Sequence, residues 1–422
     1  MREYALVFVV AAAVTFLVTP LTRRLALRIG ALAEIRDRDV HAVPTPRLGG
    51  LAMLAGLAAG LLVAGQLPFL SAVSRDYGEP RAVLVAGLLI CLLGAVDDRF
   101  GIDALTKLAG QVLAAGVMVL LGIQLSYALL PNGETVALGP ETAVPLTVLL
   151  TVVLVNALNF VDGLDGLAAG VAAIAALAEF AYSYQIAVNN GLYRATPATL
   201  IAVATAGVCI GFLPHNFNPA RQFMGDSGSM LVGLLLAASV TSVTGQVSYG
   251  GIAGGDALPS LLPLAVPLMV LAVPFVDLAL AVVRRTRAGR SPFSPDKQHL
   301  HHRLLEIGHS HVRAVLLMWL WAALLGFGGV LASFSDSPLP IVGVVAALTL
   351  LSFVLVRAPR RDLPGRRPRA AGRGRHGTRR RPASGATAPG TGAPRAPVTG
   401  PGTDRPPVLP PSERPPAPVA GP

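Results

Sequence analysis

Long apolar runs alternate with short polar segments along the chain as far as residue 357. A hydrocarbon core about 30 Å thick needs roughly 20 helical residues per crossing, and stretches near this length can be placed about eleven times. Spans 81–96 and 198–214 are short, and the second contains Gly207 and Gly211, so we expect either to be little tilted or partly irregular. The pattern predicts an all-α polytopic membrane protein with about eleven transmembrane helices. The predicted spans are residues 4–22, 48–70, 81–96, 104–126, 143–161, 166–187, 198–214, 228–245, 259–283, 314–334 and 339–357.

The composition agrees with a membrane protein. Hydrophobic residues make up 53% of the 422 residues and charged residues 14%, and the mean hydropathy is +0.61. This is more apolar surface than a soluble core needs. Cys91 and Cys209 lie inside apolar runs, so a disulfide framework or a cysteine-based metal site is not expected.

The chain changes character after the last apolar run. We predict a membrane-embedded domain over residues 1–357 and a disordered basic tail over 358–422, which is rich in Pro, Gly and Ala. The tail is either a solvated extension or a segment attracted to anionic lipid headgroups. Because it supplies much of the net charge of +11, that charge does not indicate binding of nucleic acid.

Lysine and arginine are concentrated in alternate loops, which predicts the orientation. Residues 23–47 and 284–313 are rich in Arg, whereas 127–142 and 246–258 contain no Lys or Arg. We therefore place the first two segments and the C-terminal tail in the cytoplasm. The first apolar run has its main basic flank after it, at Arg23 and Arg24, so it is predicted to be a retained span rather than a cleaved signal.

Polar residues form five clusters, and each lies where an apolar run ends. All five fall on or near the predicted cytoplasmic face. Because charge at a membrane boundary is costly unless it faces protein, water or a ligand, this predicts one shared polar site. The clusters are residues 41–50, Asp97–Asp98 with Lys107 and Gln111, residues 156–166, residues 216–227 and residues 296–302.

The acidic clusters allow a structural and a functional interpretation. Adjacent aspartates such as Asp97 and Asp98 are often helix-end residues, but Lys107 and Gln111 follow at a spacing that places both on one helical face. Asn156, Asn159, Asp162 and Asp165 recur at every third position and end in glycine-rich sequence that could also be a plain turn. The two asparagines inside an apolar span favour a functional role.

Asp226 opens a predicted helix beside glycines. Either Asp226 or Ser227 could cap that helix, and the same helix end would present free backbone N–H groups to a phosphate. Several oxygen ligands without cysteine favour Mg²⁺, or alternatively Mn²⁺, bridging a diphosphate.

A histidine-rich loop contains His299, His301 and His302. Its spacing is not one of the common structural zinc patterns. Neighbouring Arg290, Lys297 and Arg303 favour binding of an anionic substrate group, and a solvated loop is the alternative. Asp277, inside the ninth predicted span, is either a partner for a neighbouring helix or part of the site.

In order, spacing and membrane side, these clusters resemble the polyprenyl-phosphate N-acetylhexosamine-1-phosphate transferases. This family includes the enzymes that start enterobacterial common antigen, teichoic acid and mycobacterial linker synthesis, and the related phospho-MurNAc-pentapeptide transferase. The resemblance runs from about Arg23 to Arg313. Its motifs are Pro46-Arg47-Leu48-Gly49-Gly50, Asp97-Asp98, Asn156 to Gly166, Phe223 to Ser229, and Asp296 to Arg303.

The resemblance implies transfer of a sugar 1-phosphate from a UDP-sugar to a polyprenyl phosphate at the cytoplasmic face, with Mg²⁺ and release of UMP. By position, Asp226 would be a metal ligand, with Asp98 a further candidate, and Asp97 and Asp98 would assist the lipid phosphate. Whether Asp97 activates the acceptor or forms a covalent intermediate stays open. Lys107 would neutralise phosphate charge, Asn159, Asp162 and Asp165 would shape the nucleotide side, and the histidine loop would read the sugar or diphosphate. The predicted substrate-binding residues are His41, Arg47, Asn156, Asn159, Asn216, Arg290, His299, His301 and His302.

The sequence His299-Leu300-His301-His302 is similar to the N-acetylglucosamine branch of the family. This implies UDP-GlcNAc as the donor and undecaprenyl or decaprenyl phosphate as the acceptor. Peptidoglycan phospho-MurNAc-pentapeptide transfer is the near alternative. A non-enzymatic lipid transporter is the remote one, because transporters place their coupling residues near the midplane. The expected partners are these substrates and membrane lipids, with no nucleic acid and with a homodimer left open.

Overall fold

The computed structural model describes residues 1–33, 44–129, 135–189, 191–246, 269–270, 286–287, 310–335 and 337–357. Most of these residues are α-helical, which confirms the predicted all-α class. The helices are α1 (Arg2–Ile29), α2 (Gly49–Ala64), α3 (Leu70–Asp76), α4 (Glu79–Phe100), α5 (Ala104–Leu120), α6 (Pro140–Val161), α7 (Leu167–Tyr184), α8 (Thr196–Asn216), α9 (Gly225–Gln246), α10 (His311–Ser333) and α11 (Pro338–Arg357).

Short elements complete the described chain. A π-helical turn, Gln185–Asn189, follows α7, and a 3-10 turn, Tyr193–Ala195, precedes α8. Between α5 and α6 the strands β1 (Tyr127–Leu129) and β2 (Thr135–Ala137) form an antiparallel hairpin that the hydrophobic pattern did not predict.

Seven of the described helices are long and apolar enough to cross a membrane, and α2, α5 and α11 are shorter apolar helices. Ten of the predicted spans therefore coincide with an apolar helix. The span at 259–283 lies largely outside the described residues, as does the tail from residue 358. The helices confirm a multi-pass membrane protein in this coarser sense, and the count of eleven and the domain bounds stay predictions.

Some boundaries differ from the predicted ones. The span placed at 48–70 ends as a helix at Ala64, because Gly65 follows and Pro68, which has no N–H to donate, lies before α3. Helix α8 is longer than predicted and is unbroken at Gly207 and Gly211. These glycines lie against the backbone of α1, so they allow close helix packing rather than local irregularity.

Helix α9 lies at the centre of the bundle. It contacts α2, α4, α6 and α8. In its most apolar 18-residue segment 94% is buried, against 28% in the corresponding segment of α1. Small side chains such as Gly233, Ala237 and Ser239 let neighbouring helices approach it. Large apolar side chains of the outer helices, including Leu17, Leu113 and Leu120, are exposed, as expected for a surface that faces lipid. The first turn of α9 is therefore surrounded by neighbouring helices, several of which also end or begin at this level.

Candidate active site

Lys107 links two aspartates from different helices. Asp103 caps α5 by accepting hydrogen bonds from the backbone N–H groups of Leu105 and Thr106, which fixes where the first turn begins. One turn later, Lys107 Nζ lies 2.8 Å from Asp97 Oδ2 on α4 and 2.8 Å from Asp226 Oδ2 on α9. Residues that are far apart in sequence therefore converge on one ammonium group.

A fourth helix joins this group through Asn159 of α6. Its amide nitrogen donates to Asp226 Oδ1 and, at 2.9 Å, to Ser229 Oγ one turn along α9. We call Asp97, Lys107, Asn159 and Asp226 the carboxylate–lysine cluster. The side chains of Asp97, Lys107 and Asp226 are 10%, 18% and 27% exposed, so the cluster is partly open to a ligand.

Asp98 points away from Lys107, because successive residues of an α-helix are rotated by about 100°. Its Oδ1 accepts from the backbone N–H of Asp226 at 2.9 Å. Its Oδ2 accepts from the N–H of Ser227 at 3.1 Å and from Ser227 Oγ at 2.8 Å. The Arg47 guanidinium lies 4.0 Å from Asp98 Oδ1, and the Asp98 side chain is fully buried. Asp98 therefore holds the first turn of α9.

Two glycines let neighbouring helices reach that turn. A Cβ atom at Gly94 of α4 would collide with the backbone of Asp226 and Ser227, and one at Gly50 of α2 would collide with the backbone of Ser227 and Gly228. Only a residue without a side chain fits at these approaches. The sequence therefore places α2, α4 and α9 in direct backbone contact beside Asp226.

An amide pair of buried Gln111 and exposed Asn156 lies next to the cluster. Asn156 Nδ2 donates to Gln111 Oε1 at 2.7 Å, and Gln111 Nε2 lies 3.4 Å from Asn156 Oδ1. Gln111 is four residues after Lys107 and Asn156 is three before Asn159, so each amide lies about one helical turn from a member of the cluster. The pair therefore fixes the register of α5 against α6.

Further polar residues hold the loop between α8 and α9. Asp165 Oδ2 accepts from Asn218 Nδ2 at 2.9 Å and from the Ala220 N–H at 3.0 Å. Asn216 accepts from the Gly166 N–H and donates to the Gln222 carbonyl. We call these residues, with Gln222, the loop scaffold. It ties the loop before α9 to the turn between α6 and α7.

The same loop also holds the segment that carries Arg47. Gln222 Nε2 donates to the Arg47 carbonyl at 3.2 Å and to Thr22 Oγ1 of α1 at 3.1 Å. The Phe223 N–H donates to the Pro46 carbonyl at 2.8 Å, and the Gly49 N–H donates to the Phe223 carbonyl at 3.2 Å. Arg47 is therefore positioned by backbone contacts on both sides.

Asp162 follows α6 and lies outside the spanning helix. Burial, together with the negative charges of Asp226 and Asp98, raises the pKa of its carboxyl to about 7, while the Arg47 charge opposes the rise. Asp162 is thus electrostatically linked to Asp98 and Asp226. A cation near these carboxylates would favour its ionised form.

The structure brings together many of the predicted site residues. Asp97, Lys107, Asn159 and Asp226 form one cluster, Arg47 and Asp98 lie beside it, and Asn156 lies one turn away. Asp165 and Asn216 are buried in the loop scaffold. Asp165 accepts from Asn218 and from the Ala220 N–H, and Asn216 accepts from the Gly166 N–H. Asp277, His41, Arg290, His299, His301 and His302 lie outside the described residues.

Sequence reasoning missed several contributors. Ser229, which accepts from Asn159, and Gln222, which holds the loop, were not assigned a role. Ser227 was considered only as a cap, and Asn218 only as part of a polar cluster, whereas Ser227 contacts Asp98 and Asn218 contacts Asp165. Ser229 could have been found from its position three residues after Asp226, on the same helical face. Gln222 lies in irregular structure, and no periodic pattern marks it.

The oxygen atoms of the carboxylate–lysine cluster fit a hard divalent cation. Two partly exposed carboxylates, Asp97 and Asp226, converge on one ammonium, which leaves negative charge uncompensated. Within the described residues, no group of three or more His, Cys, Asp or Glu side chains could enclose a metal ion. Mg²⁺ is often held by one or two carboxylates together with substrate phosphates, so the arrangement suits Mg²⁺ bound with a phosphorylated ligand.

Comparisons with known proteins give a consistent family. A family model described as glycosyl transferase family 4 matches residues 81–244, which include α4 to most of α9 and all of the carboxylate–lysine cluster. The decaprenyl-phosphate N-acetylglucosaminephosphotransferase of Mycolicibacterium smegmatis is 48% identical over 373 residues, covering 85% of this chain and 90% of that protein. The protein of the same name from Mycobacterium tuberculosis is 50% identical over 343 residues, covering 79% and 83%. An undecaprenyl-phosphate alpha-N-acetylglucosaminyl 1-phosphate transferase of Salmonella typhi is 30% identical over 347 residues, covering 79% and 85%.

Proposed function

The chain belongs to the polyprenyl-phosphate N-acetylhexosamine-1-phosphate transferase family, and on that basis we propose that it makes polyprenyl-diphosphate-GlcNAc. In this reaction an oxygen of a polyprenyl phosphate attacks the β-phosphorus of UDP-GlcNAc. The bond between that phosphorus and the bridging oxygen breaks, and UMP leaves. The product would start synthesis of a cell-envelope polymer.

The observation that carries this proposal is the convergence of Asp97 and Asp226 on Lys107. Phosphoryl transfer requires positioning and charge stabilisation more than covalent chemistry by the protein. Lys107 lies where an ammonium group can neutralise charge on a transferring phosphoryl group. Its two carboxylate partners hold the Nζ atom in place before substrate binds.

Mg²⁺ is part of the proposal, and Asp226 and Asp97 are the residues that would hold it. Bound there, Mg²⁺ would neutralise diphosphate oxygens and align donor with acceptor. The Asn159 amide donates a hydrogen bond to the Asp226 carboxylate and so orients it, and Ser229 Oγ accepts a hydrogen bond from the same amide nitrogen. Asp97 is oriented by the Ile102 N–H, which donates to its Oδ1 at 2.9 Å.

N-acetylglucosamine is the sugar favoured for this chain. The relatives named above are named for GlcNAc phosphate transfer to decaprenyl or undecaprenyl phosphate. The identity over 79–85% of the chain supports the GlcNAc branch over the peptidoglycan alternative. It also supports an enzyme over a lipid transporter.

We further propose that eleven spans cross the cell membrane, with the site and the C-terminal tail on the cytoplasmic side. The excess of Lys and Arg in residues 23–47 and 284–313 supports this orientation. The ends of α4, α6 and α8 and the starts of α5, α7 and α9 share direct hydrogen bonds, which supports one common face for these polar residues. A homodimer stays a prediction that mass measurement in nanodiscs would test.

The activity is tested with the full-length protein in nanodiscs. Radiolabelled UDP-GlcNAc, decaprenyl phosphate and Mg²⁺ should give label in the lipid phase and an equal amount of free UMP. UDP-MurNAc-pentapeptide serves as the competing donor. If lipid-linked product formed only from that donor, the protein would be a phospho-MurNAc-pentapeptide transferase rather than a GlcNAc-1-phosphate transferase.

Two controls separate the remaining alternatives. Asp226→Asn should insert into the membrane like the wild type and give no lipid-linked label. Chelation with EDTA should stop the reaction, and added Mg²⁺ should restore it. Lipid movement between leaflets without UMP release would favour the transporter, and full activity in EDTA would remove Mg²⁺ from the proposal.

A further inference from the structure

We propose that Asp98 is a positioning residue, which anchors the first turn of α9 so that Asp226 faces Lys107. The significance of Asp226 rests on the proposed function. The anchoring itself is a statement about the fold. It gives the two adjacent aspartates of the chain separate tasks, with Asp97 in the partly exposed cluster and Asp98 behind it.

The hydrogen bonds of Asp98 go to groups that a helix start leaves without partners. The first N–H groups of an α-helix have no acceptor within the helix. Asp98 supplies both of its oxygens to the N–H groups of Asp226 and Ser227, and its Oδ2 also accepts from Ser227 Oγ. A carboxylate near this end of α9 is also favoured by the helix dipole. Asp98 thus caps α9 from another helix, 128 residues away in sequence.

The local backbone shows why this cap comes from outside. Gly225 begins α9 with a left-handed φ of 69°, and a Cβ at this position would collide with the Asp98 carboxylate. Asp226 is the next residue, and its own side chain is engaged by Lys107 and Asn159. It therefore does not cap its own helix in this arrangement.

The burial of Asp98 argues against a second task as a ligand. Its side chain is fully buried, whereas that of Asp97 is 10% exposed. Three donors already occupy its two oxygens, and Arg47 lies 4.0 Å from Oδ1. A metal ion or lipid phosphate would have to displace the α9 backbone to reach it. Asp97, by contrast, has its Oδ2 directed at the ammonium group in the cluster.

The inference is tested by amide hydrogen exchange in the full-length protein in nanodiscs, with Asp97→Asn as the matched control for Asp98→Asn. Losing charge-assisted bonds should speed exchange of the Asp226 and Ser227 amides by about 10- to 100-fold in Asp98→Asn. Asp97→Asn should leave those two amides as in the wild type. Unchanged protection in Asp98→Asn would overturn the proposal. This readout needs no turnover, so it decides the role of Asp98 even if the proposed reaction is wrong.

Ser227→Ala is the milder variant if Asp98→Asn does not fold. It removes the hydroxyl bond to Asp98 and keeps both backbone amides. We expect exchange of the residue 227 amide to rise several-fold and kcat per folded enzyme to fall about 10-fold. In the Asp98→Asn/Ser227→Ala double variant, the exchange effects should be less than additive. Full additivity of the exchange effects of Asp98→Asn and Ser227→Ala would contradict anchoring.

Discussion

The carboxylate–lysine cluster and the loop scaffold use similar residue types for different purposes. In the cluster, acidic and amide side chains bond one another and Lys107, and they are partly exposed. In the loop scaffold, Asp165, Asn216 and Gln222 are buried and bond mainly to backbone N–H and carbonyl groups. The partner and the exposure of a polar side chain therefore distinguish chemistry from support better than the residue type does.

The distinction has a physical basis. A buried polar group is costly without a partner, so a backbone group that is paired with a buried amide or carboxylate becomes a fixed part of the fold. Side chains that bond only other side chains at an open surface can exchange those partners for a ligand. Variants in the two regions should thus fail in different ways.

Asp226→Asn should have the largest effect on turnover. The change is nearly isosteric, but it removes the charge that pairs with Lys107 and that would hold Mg²⁺. We expect kcat to fall by about 10³-fold or more, with wild-type membrane insertion and elution on size exclusion. Lipid-linked product is measured from radiolabelled UDP-GlcNAc. Turnover within twofold of the wild type would place Asp226 outside the reaction.

Lys107→Met should come next. Without the ammonium, the carboxylates of Asp97 and Asp226 repel each other, and no fixed cation faces the phosphoryl group. A decrease in kcat of about 10² to 10³-fold is expected. Lys107→Arg is the matched control, since it keeps the charge and should retain more activity. Equal activity of the Met and Arg variants would argue against an electrostatic role.

Asp165→Asn should affect stability more than chemistry. The Asp165 carboxylate accepts from Asn218 and from the Ala220 backbone, and charge-assisted bonds of this kind contribute about 1.5–3 kcal/mol. We expect a lower melting temperature and a smaller decrease in kcat than in Asp226→Asn. Thermal unfolding and kcat per folded enzyme are measured together. If the melting temperature is unchanged and kcat falls as far as in Asp226→Asn, Asp165 takes part in the reaction rather than in stabilising the loop.

Asp162→Asn should have the smallest effect, on the pH dependence of stability in Mg²⁺-free buffer. The folded pKa is about 7, against about 3.9 for an unfolded aspartate. Between these values the folded protein binds a proton that the unfolded chain has lost, so the wild type loses stability as pH rises through this window. The free energy of unfolding of Asp162→Asn, relative to that of the wild type, should therefore rise by about 1 kcal/mol from pH 5 to pH 8. This value is reduced to allow for the partial exposure of Asp162. Thermal unfolding of both proteins is measured at the two pH values. An equal difference in stability between the wild type and Asp162→Asn at pH 5 and pH 8 would show that Asp162 does not titrate in this range.

Much of the fold followed from the sequence, because apolar length alone marks a membrane helix. Ten predicted spans coincide with helices, although Gly65 and Pro68 end α2 earlier than the hydropathy suggested. The β1–β2 hairpin was missed because three-residue strands leave little periodic signal. The glycines of α8 were misinterpreted, since the sequence did not show that α1 packs against them.

The sequence by itself determined the class of the protein, its family and the polar residues at the ends of its helices. Hydrophobic length and motif spacing are local properties, and they can be read without knowing which helices are neighbours. Only the tertiary structure decided which partner each polar residue meets. Asp97 and Asp98 are adjacent in the chain, yet helical rotation directs one to Lys107 and the other to the backbone of α9. The α9 backbone that meets Asp98 lies 128 residues away in sequence, so this contact depends on long-range packing that no local pattern records.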